Sequence, residues 1–218
     1  MTIEGAISKI HDIGIVPVVR AANLDEARRA VDAIFAGGIH IIEITMTVPN
    51  APDVIHGLVQ HYGSSLFTGA GTVTSAAQAQ TCIDAGAQFL VSPGLSVPIL
   101  EIASKQGILA IPGALTPTEV MNALGSGATL VKIFPCGSAG GPSHIKSLKG
   151  PFPDARLIPT GGVNLSNAAQ YFAVGSFALG VGADLVDLAA LRRNEAAKIT
   201  EMAKSLVEVV RQARPANR

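Results

Sequence analysis

Two residues could carry chemistry because their ionisable side chains interrupt apolar runs. Lys132 lies in Thr-Leu-Val-Lys-Ile-Phe-Pro at 129–135, and Glu43 in Ile-His-Ile-Ile-Glu-Ile at 39–44. Each run is short, follows a glycine that closes a helical pattern, and reads as a buried strand. With a strand's two-residue period, Leu130, Lys132 and Phe134 share one face, so the amine projects between two bulky apolar neighbours. Taking an ammonium out of water is costly, and burial favours the neutral amine. A neutral amine attacks ketones to form imines, and a carboxylate facing it can move the protons that imine chemistry needs. A structural reading stands beside this one: Lys132 snorkels to solvent, or the two charges pair without reacting. Such a pair contributes little net stability for its desolvation cost, whereas chemistry needs the combination, and this favours function.

The elements that must position these residues repeat along the chain. The sequence has 218 residues, 48% of them apolar, with 23 glycines and no tryptophan, a composition suited to buried parallel strands and tight connections. Short apolar runs predict eight strands near 15–20, 39–44, 66–70, 88–92, 108–111, 129–134, 156–160 and 177–181. Helical patterns lie between them. Asn23-Leu-Asp-Glu26 reads as a capping box, Thr116-Pro-Thr-Glu119 has proline at the first helical position, and Asn164 opens another helix. A last amphipathic helix is expected over about 192–214. No linker divides the chain, so residues 1–218 read as one α/β domain. Eight units favour a (β/α)₈ TIM barrel over a doubly wound sheet. Its second and sixth strands contribute to the same interior layer, which lets Glu43 and Lys132 face each other.

Barrel enzymes work at the carboxyl ends of their strands. The residues expected there include Arg20, Thr45 and Thr47 beyond Glu43, Thr72, Pro93, Phe134, Thr160-Gly161-Gly162 and Gly182-Ala183. The last two glycine-rich stretches suit a phosphate, which backbone N–H groups and the start of the helix-like 184–188 segment would hold. Formal net charge is zero and no basic cluster exists, which argues against nucleic acid. No stretch is apolar for long enough to span a bilayer, and the first ten residues lack a basic leader, so a cytoplasmic protein is expected. The five histidines are scattered without ligand spacing, so no metal is expected. No G-x-G-x-x-G opens a helix after a strand, so no nicotinamide cofactor is expected. Cys82 and Cys136 form no disulfide framework, and Cys136 reads as a passive thiol.

In Val-Val-Arg20, Gly-Gly-Ile-His-Ile-Ile-Glu43-Ile-Thr, Gly69-Ala-Gly-Thr72, Val91-Ser-Pro-Gly94, Ile111-Pro-Gly113, Val131-Lys132-Ile-Phe-Pro135, Lys149-Gly-Pro-Phe-Pro153 and Pro159-Thr160-Gly-Gly-Val163, the chain resembles the 2-dehydro-3-deoxy-phosphogluconate (KDPG) and 4-hydroxy-2-oxoglutarate (KHG) aldolases. The resemblance covers about 15–186. It implies a cofactor-free class I aldolase of 2-keto acids on a (β/α)₈ barrel, a homotrimer, serving the Entner–Doudoroff pathway. It further implies Lys132 as Schiff-base lysine, Glu43 as general acid/base, and Thr72, Pro93, Phe134 and Thr160 around the pyruvate moiety. Where some members place an arginine for the substrate carboxylate, this chain has Thr47, and Arg20 becomes the expected anion ligand. Where many members have serine in the last glycine-rich loop, this chain has Ala183, which leaves the backbone of Gly161, Gly162, Gly182 and Ala183 for the phosphate. Three alternatives remain open: a 2-dehydro-3-deoxy-6-phosphogalactonate aldolase, a barrel isomerase or epimerase that forms no imine, and a sugar-phosphate-binding barrel without turnover.

Overall fold

Strands and helices alternate because the chain switches between short continuous apolar runs and amphipathic stretches. The computed structural model describes residues 2–214. In order it contains α1 (Ile3–Ile13), β1 (Ile15–Val19), α2 (Leu24–Ala36), β2 (Ile41–Thr45), α3 (Ala51–Tyr62), β3 (Phe67–Gly71), α4 (Ala76–Asp84), β4 (Phe89–Val91), α5 (Val97–Lys105), β5 (Leu109–Ile111), β6 (Gly113–Ala114), α6 (Pro117–Gly125), β7 (Val131–Ile133), α7 (Pro142–Lys149), β8 (Leu157–Pro159), α8 (Leu165–Ala173), β9 (Leu179–Val181), α9 (Leu188–Arg192) and α10 (Ala196–Ala213).

All strand pairs are parallel. They form two ladders, one in the order β5-β4-β3-β2-β1-β9 and one in the order β6-β7-β8. β5 and β6 are consecutive segments of chain interrupted at Pro112, which has no N–H to give a ladder. On the far side, Thr160 and Gly180 form an isolated parallel bridge, and the Phe177 N–H donates to the Leu157 carbonyl at 2.8 Å. The result is an α/β fold with a curled parallel sheet, its helices packed over it. Isoleucines 15, 41, 42, 44 and 133 are fully buried, as continuous apolar strands require.

The helix starts follow the local sequence. Thr116 and Glu119 close a full capping box, and Asn164 pairs with Asn167 in the same way. At α2 the expectation is half met. Asn23 accepts the Glu26 N–H at 2.9 Å, but the Glu26 carboxylate takes the Ala22 N–H and Arg192 instead of returning to Asn23. An additional helix, α1, precedes the first predicted strand; Thr2 caps it and Gly14 ends it in the left-handed region at φ 71°. The predicted final helix, about 192–214, is α10, which begins at Ala196; the short α9 precedes it, and the two are separated at Asn194, whose φ of 59° a helix cannot contain. Strands also start or stop within a few residues of their predicted ends, because ladder bonds rather than apolar runs set their limits. α10 packs across α2, where a Cβ on Gly37 would lie 2.3 Å from that of Ala203. Among the described residues, no helix is long and apolar enough to cross a membrane.

Candidate active site

Strand register selects the side chains that meet inside the curled sheet. Val18 is opposite Glu43, Glu43 opposite Gly69, and Thr45 opposite Gly71. In the second ladder, Gly113, Lys132 and Ile158 are in register. Parallel partners project to the same side, so Glu43 and Lys132 both lie on the inner face although their strands belong to different ladders. Lys132 Nζ approaches Glu43 Oε1 to 3.7 Å, and the two residues are 6% and 3% exposed. This is close enough for strong attraction and too long for a hydrogen bond. Glu43 Oε1 has no hydrogen-bond partner among the described residues. Phe134 lies beside the amine, its ring centroid 5.3 Å from Nζ.

Two glycines make room for this arrangement. A Cβ on Gly71 would stand 1.8 Å from Glu43 Oε1, and one on Gly180 would stand 2.2 Å from Thr160 Oγ1. Neither was singled out from the sequence; the signal that marks them is a glycine on the inner face, in or beside the register of a functional side chain. Thr72 follows Gly71 with φ 56°. Pro93 is exposed, but its carbonyl packs on Gly113, the register partner of Lys132: a Cβ there would fall 2.1 Å from that oxygen. Thr160 is buried, with Oγ1 3.4 Å from the Ile158 carbonyl.

Arg20 and Thr47 stand at the rim, both exposed. Arg20 Nη1 donates to Thr47 Oγ1 at 3.2 Å, and Thr47 Oγ1 lies 2.6 Å from that of Thr45, which is fully buried. Arg20 also lines a cavity of about 280 Å³ together with Ala183, Val186 and Asp187. A separate hollow of about 400 Å³, lined by Ile3, Ile108 and Thr129, opens at the amino ends of the strands and contains none of the site residues.

Gly161 and Gly162 adopt φ of 84° and 76°, which only glycine takes at little cost. Their carbonyls are fixed: Gly161 accepts the Gly137 N–H at 2.7 Å and Gly162 accepts Asn167 Nδ2 at 2.8 Å. The N–H groups of Gly161, Gly162, Gly182 and Ala183 have no acceptor among the described residues. The expectation that a helix begins at 184 is corrected. Residues 182–186 form a turn in which the Gly182 carbonyl accepts the N–H groups of Leu185 and Val186, and α9 starts only at Leu188. Asp187 Oδ1 caps it by accepting the Ala190 N–H at 2.8 Å, so the chain's own carboxylate answers the helix's positive end. Burial pushes the Cys136 thiol up, which suits the passive part expected of it.

The KDPG and KHG aldolase family matches this chain over residues 6–202. The chain is 35% identical over 193 residues to the 2-dehydro-3-deoxy-phosphogluconate aldolase of Pseudoalteromonas atlantica, across 88% of this chain and 89% of the relative. It is 34% identical over 194 residues to the KHG/KDPG aldolase of Escherichia coli K12, across 89% and 91%. Among solved structures, a KDPG aldolase from Legionella pneumophila, with pyruvate captured at low pH as a covalent carbinolamine intermediate, superposes with a TM-score of 0.85 at 32% identity. That match covers 92% of this chain and 97% of the other.

Proposed function

We propose, since this chain belongs to the KDPG and KHG aldolase family, that it cleaves KDPG to pyruvate and glyceraldehyde 3-phosphate through an imine on Lys132. It is an aldolase, a carbon–carbon lyase. The observation that carries the mechanism is the buried approach of Lys132 Nζ to Glu43 Oε1 at 3.7 Å.

The neutral amine of Lys132 adds to the C2 ketone, and the carbinolamine loses water to give a protonated imine. Glu43, acting through water, supplies and removes the protons of these steps. It then takes the proton of the C4 hydroxyl. The C4 oxygen forms its carbonyl as the C3–C4 bond breaks, and that electron pair enters the iminium to give an enamine. The aldehyde leaves, C3 of the enamine is protonated, and water releases pyruvate from Lys132. The same steps convert KHG to pyruvate and glyoxylate.

In this reading Arg20 binds the substrate carboxylate, and Thr47, Thr72, Pro93, Phe134 and Thr160 surround the pyruvate moiety. The unpaired N–H groups of Gly161, Gly162, Gly182 and Ala183 bind the phosphate without help from a helix dipole. The two ladders are read as one complete eight-stranded barrel in a single domain, and the protein as a cytoplasmic homotrimer.

Borohydride with pyruvate tests the centre of the proposal. Reduction should inactivate the protein and leave the adduct on Lys132 by peptide mapping, and Lys132→Met should lose both activity and trapping. An adduct on another lysine, or full activity in Lys132→Met, ends the assignment. An isomerase or epimerase would trap nothing. Comparing kcat/KM for the gluconate and galactonate substrates sets the stereochemistry.

A further inference from the structure

The guanidinium assigned to the substrate carboxylate stands at the rim of the site, where an arginine side chain has most of its rotamer freedom. Its one hydrogen-bond partner among the described residues is the hydroxyl of Thr47, at 3.2 Å from Nη1. No carboxylate pairs with it among the described residues. A neutral hydroxyl can hold an arginine without compensating its charge. It uses one of five N–H groups and leaves the others for a bidentate carboxylate.

Thr47 is itself exposed, and an exposed threonine chooses among staggered rotamers unless something selects one. What selects one here is Thr45. It ends β2 on the same inner face as Glu43, is completely buried, and lies with its Oγ1 2.6 Å from that of Thr47. Leaving a buried hydroxyl without a partner is costly, and Thr47 Oγ1 is the side-chain partner that Thr45 has among the described residues, so the bond between them orients Thr47. The rigid strand that positions the acid/base thus also positions, through two hydroxyls, the anion ligand.

We propose that Thr45 is a positioning residue for substrate binding: it fixes Thr47, which holds Arg20, and so sets affinity for the carboxylate of the 2-keto acid. This rests on Arg20 as the carboxylate ligand. The strand position predicts that the effect falls on KM and not on the amine's reactivity.

Thr45→Val, Thr45→Ser, Thr47→Val, Arg20→Ala and the Thr45→Val/Arg20→Ala double variant separate the two claims. Steady-state constants are measured with KHG and with KDPG, and borohydride trapping with acetone, a ketone lacking a carboxylate. Thr45→Val should raise KM about threefold to tenfold for both substrates, the range of one hydrogen bond, with kcat moving by about twofold or less. Thr45→Ser should restore the wild-type KM, and Thr47→Val should raise KM at least as far as Thr45→Val. In the Arg20→Ala background Thr45→Val should add nothing, and acetone trapping should be the same in every variant. If Arg20→Ala leaves KM unchanged, the carboxylate assignment fails and the relay with it. If Arg20→Ala raises KM while Thr45→Val does not, the relay alone fails. Loss of KM in Thr45→Ser as large as in Thr45→Val would mean packing and not the hydroxyl, and an effect confined to KDPG would mean that Arg20 serves the phosphate; either overturns the proposal. Should Thr45→Val not fold, Thr47→Val and Thr45→Ser still decide it.

Discussion

Two buried glutamates in this molecule sit in opposite circumstances. Glu26 accepts Arg192 Nε at 2.6 Å, Arg192 Nη2 at 3.1 Å and the Ala22 N–H at 2.6 Å. Glu43 faces Lys132 at 3.7 Å, and its Oε1 has no hydrogen-bond partner among the described residues. The Arg192 guanidinium holds the Glu26 carboxyl below the usual carboxylate range, with burial opposing and the Ala22 N–H assisting. Glu26 ties the loop after β1 to α9, and every donor it meets is a structural one. Glu43 sits at the strand ends with Oε1 held by no donor among the described residues. A satisfied carboxylate fixes geometry, while the acid/base role proposed for Glu43 needs an oxygen that no protein donor already holds.

The largest expected effect tests the chemical half of the contrast. Glu43→Gln is nearly isosteric and should lower kcat by about 10²–10⁴, the usual contribution of a positioned acid/base, with no loss of melting temperature. Unchanged turnover would make Glu43 a structural partner of Lys132 like the pair at Glu26.

Gly71→Ala reaches the same carboxylate without altering its chemistry. The added Cβ would lie 1.8 Å from Glu43 Oε1, so the side chain must turn away. Turnover should fall at least about tenfold, while borohydride still labels Lys132. Normal kcat in a folded Gly71→Ala protein would show that the position of Glu43 does not matter to the rate.

The unpaired N–H groups of the last two glycine loops extend the comparison from acceptors to donors. Ala183→Ser should add one hydrogen bond to a charged group, worth about 1.5–3 kcal/mol, and appear mainly as a lower KM for KDPG. KM for KHG, which has no phosphate, should not move. Equal effects on both substrates would remove the phosphate from these loops.

Glu26→Gln should give the smallest change in catalysis and a measurable one in stability, roughly 1–2 kcal/mol at neutral pH, because Arg192 is largely exposed and solvent weakens the pair. The sign with pH follows from the lowered value. Stabilisation by ionised Glu26 is fully present above the ordinary carboxyl value of 4.5 and is lost as pH falls through the lower value in the folded protein. Melting temperatures of wild type and Glu26→Gln should therefore converge as pH drops below about 4.5. A constant gap down to acid pH would show that the ion pair contributes nothing.

The burial of two ionisable side chains, Lys132 and Glu43, was legible from the chain because a charge inside an apolar strand is a local signal, visible in seven residues or fewer. The alternation of strands and helices, the caps at Thr116 and Asn164, and the parallel sheet follow from the same local periodicity and turn chemistry. The resemblance to the aldolase family rests on these motifs too. Tertiary structure alone decided the 3.7 Å between amine and carboxylate, the space that Gly71 and Gly180 leave, and the hydroxyl chain from Thr45 to Arg20. It also decided that Glu26 would take Arg192, 166 residues away, over its own N-cap, and that Asp187 would claim the start of α9. The physical reason is one of range. Hydrophobic period and capping act over a turn or a strand, whereas these contacts depend on sheet register and curvature, which bring together segments that share no local pattern.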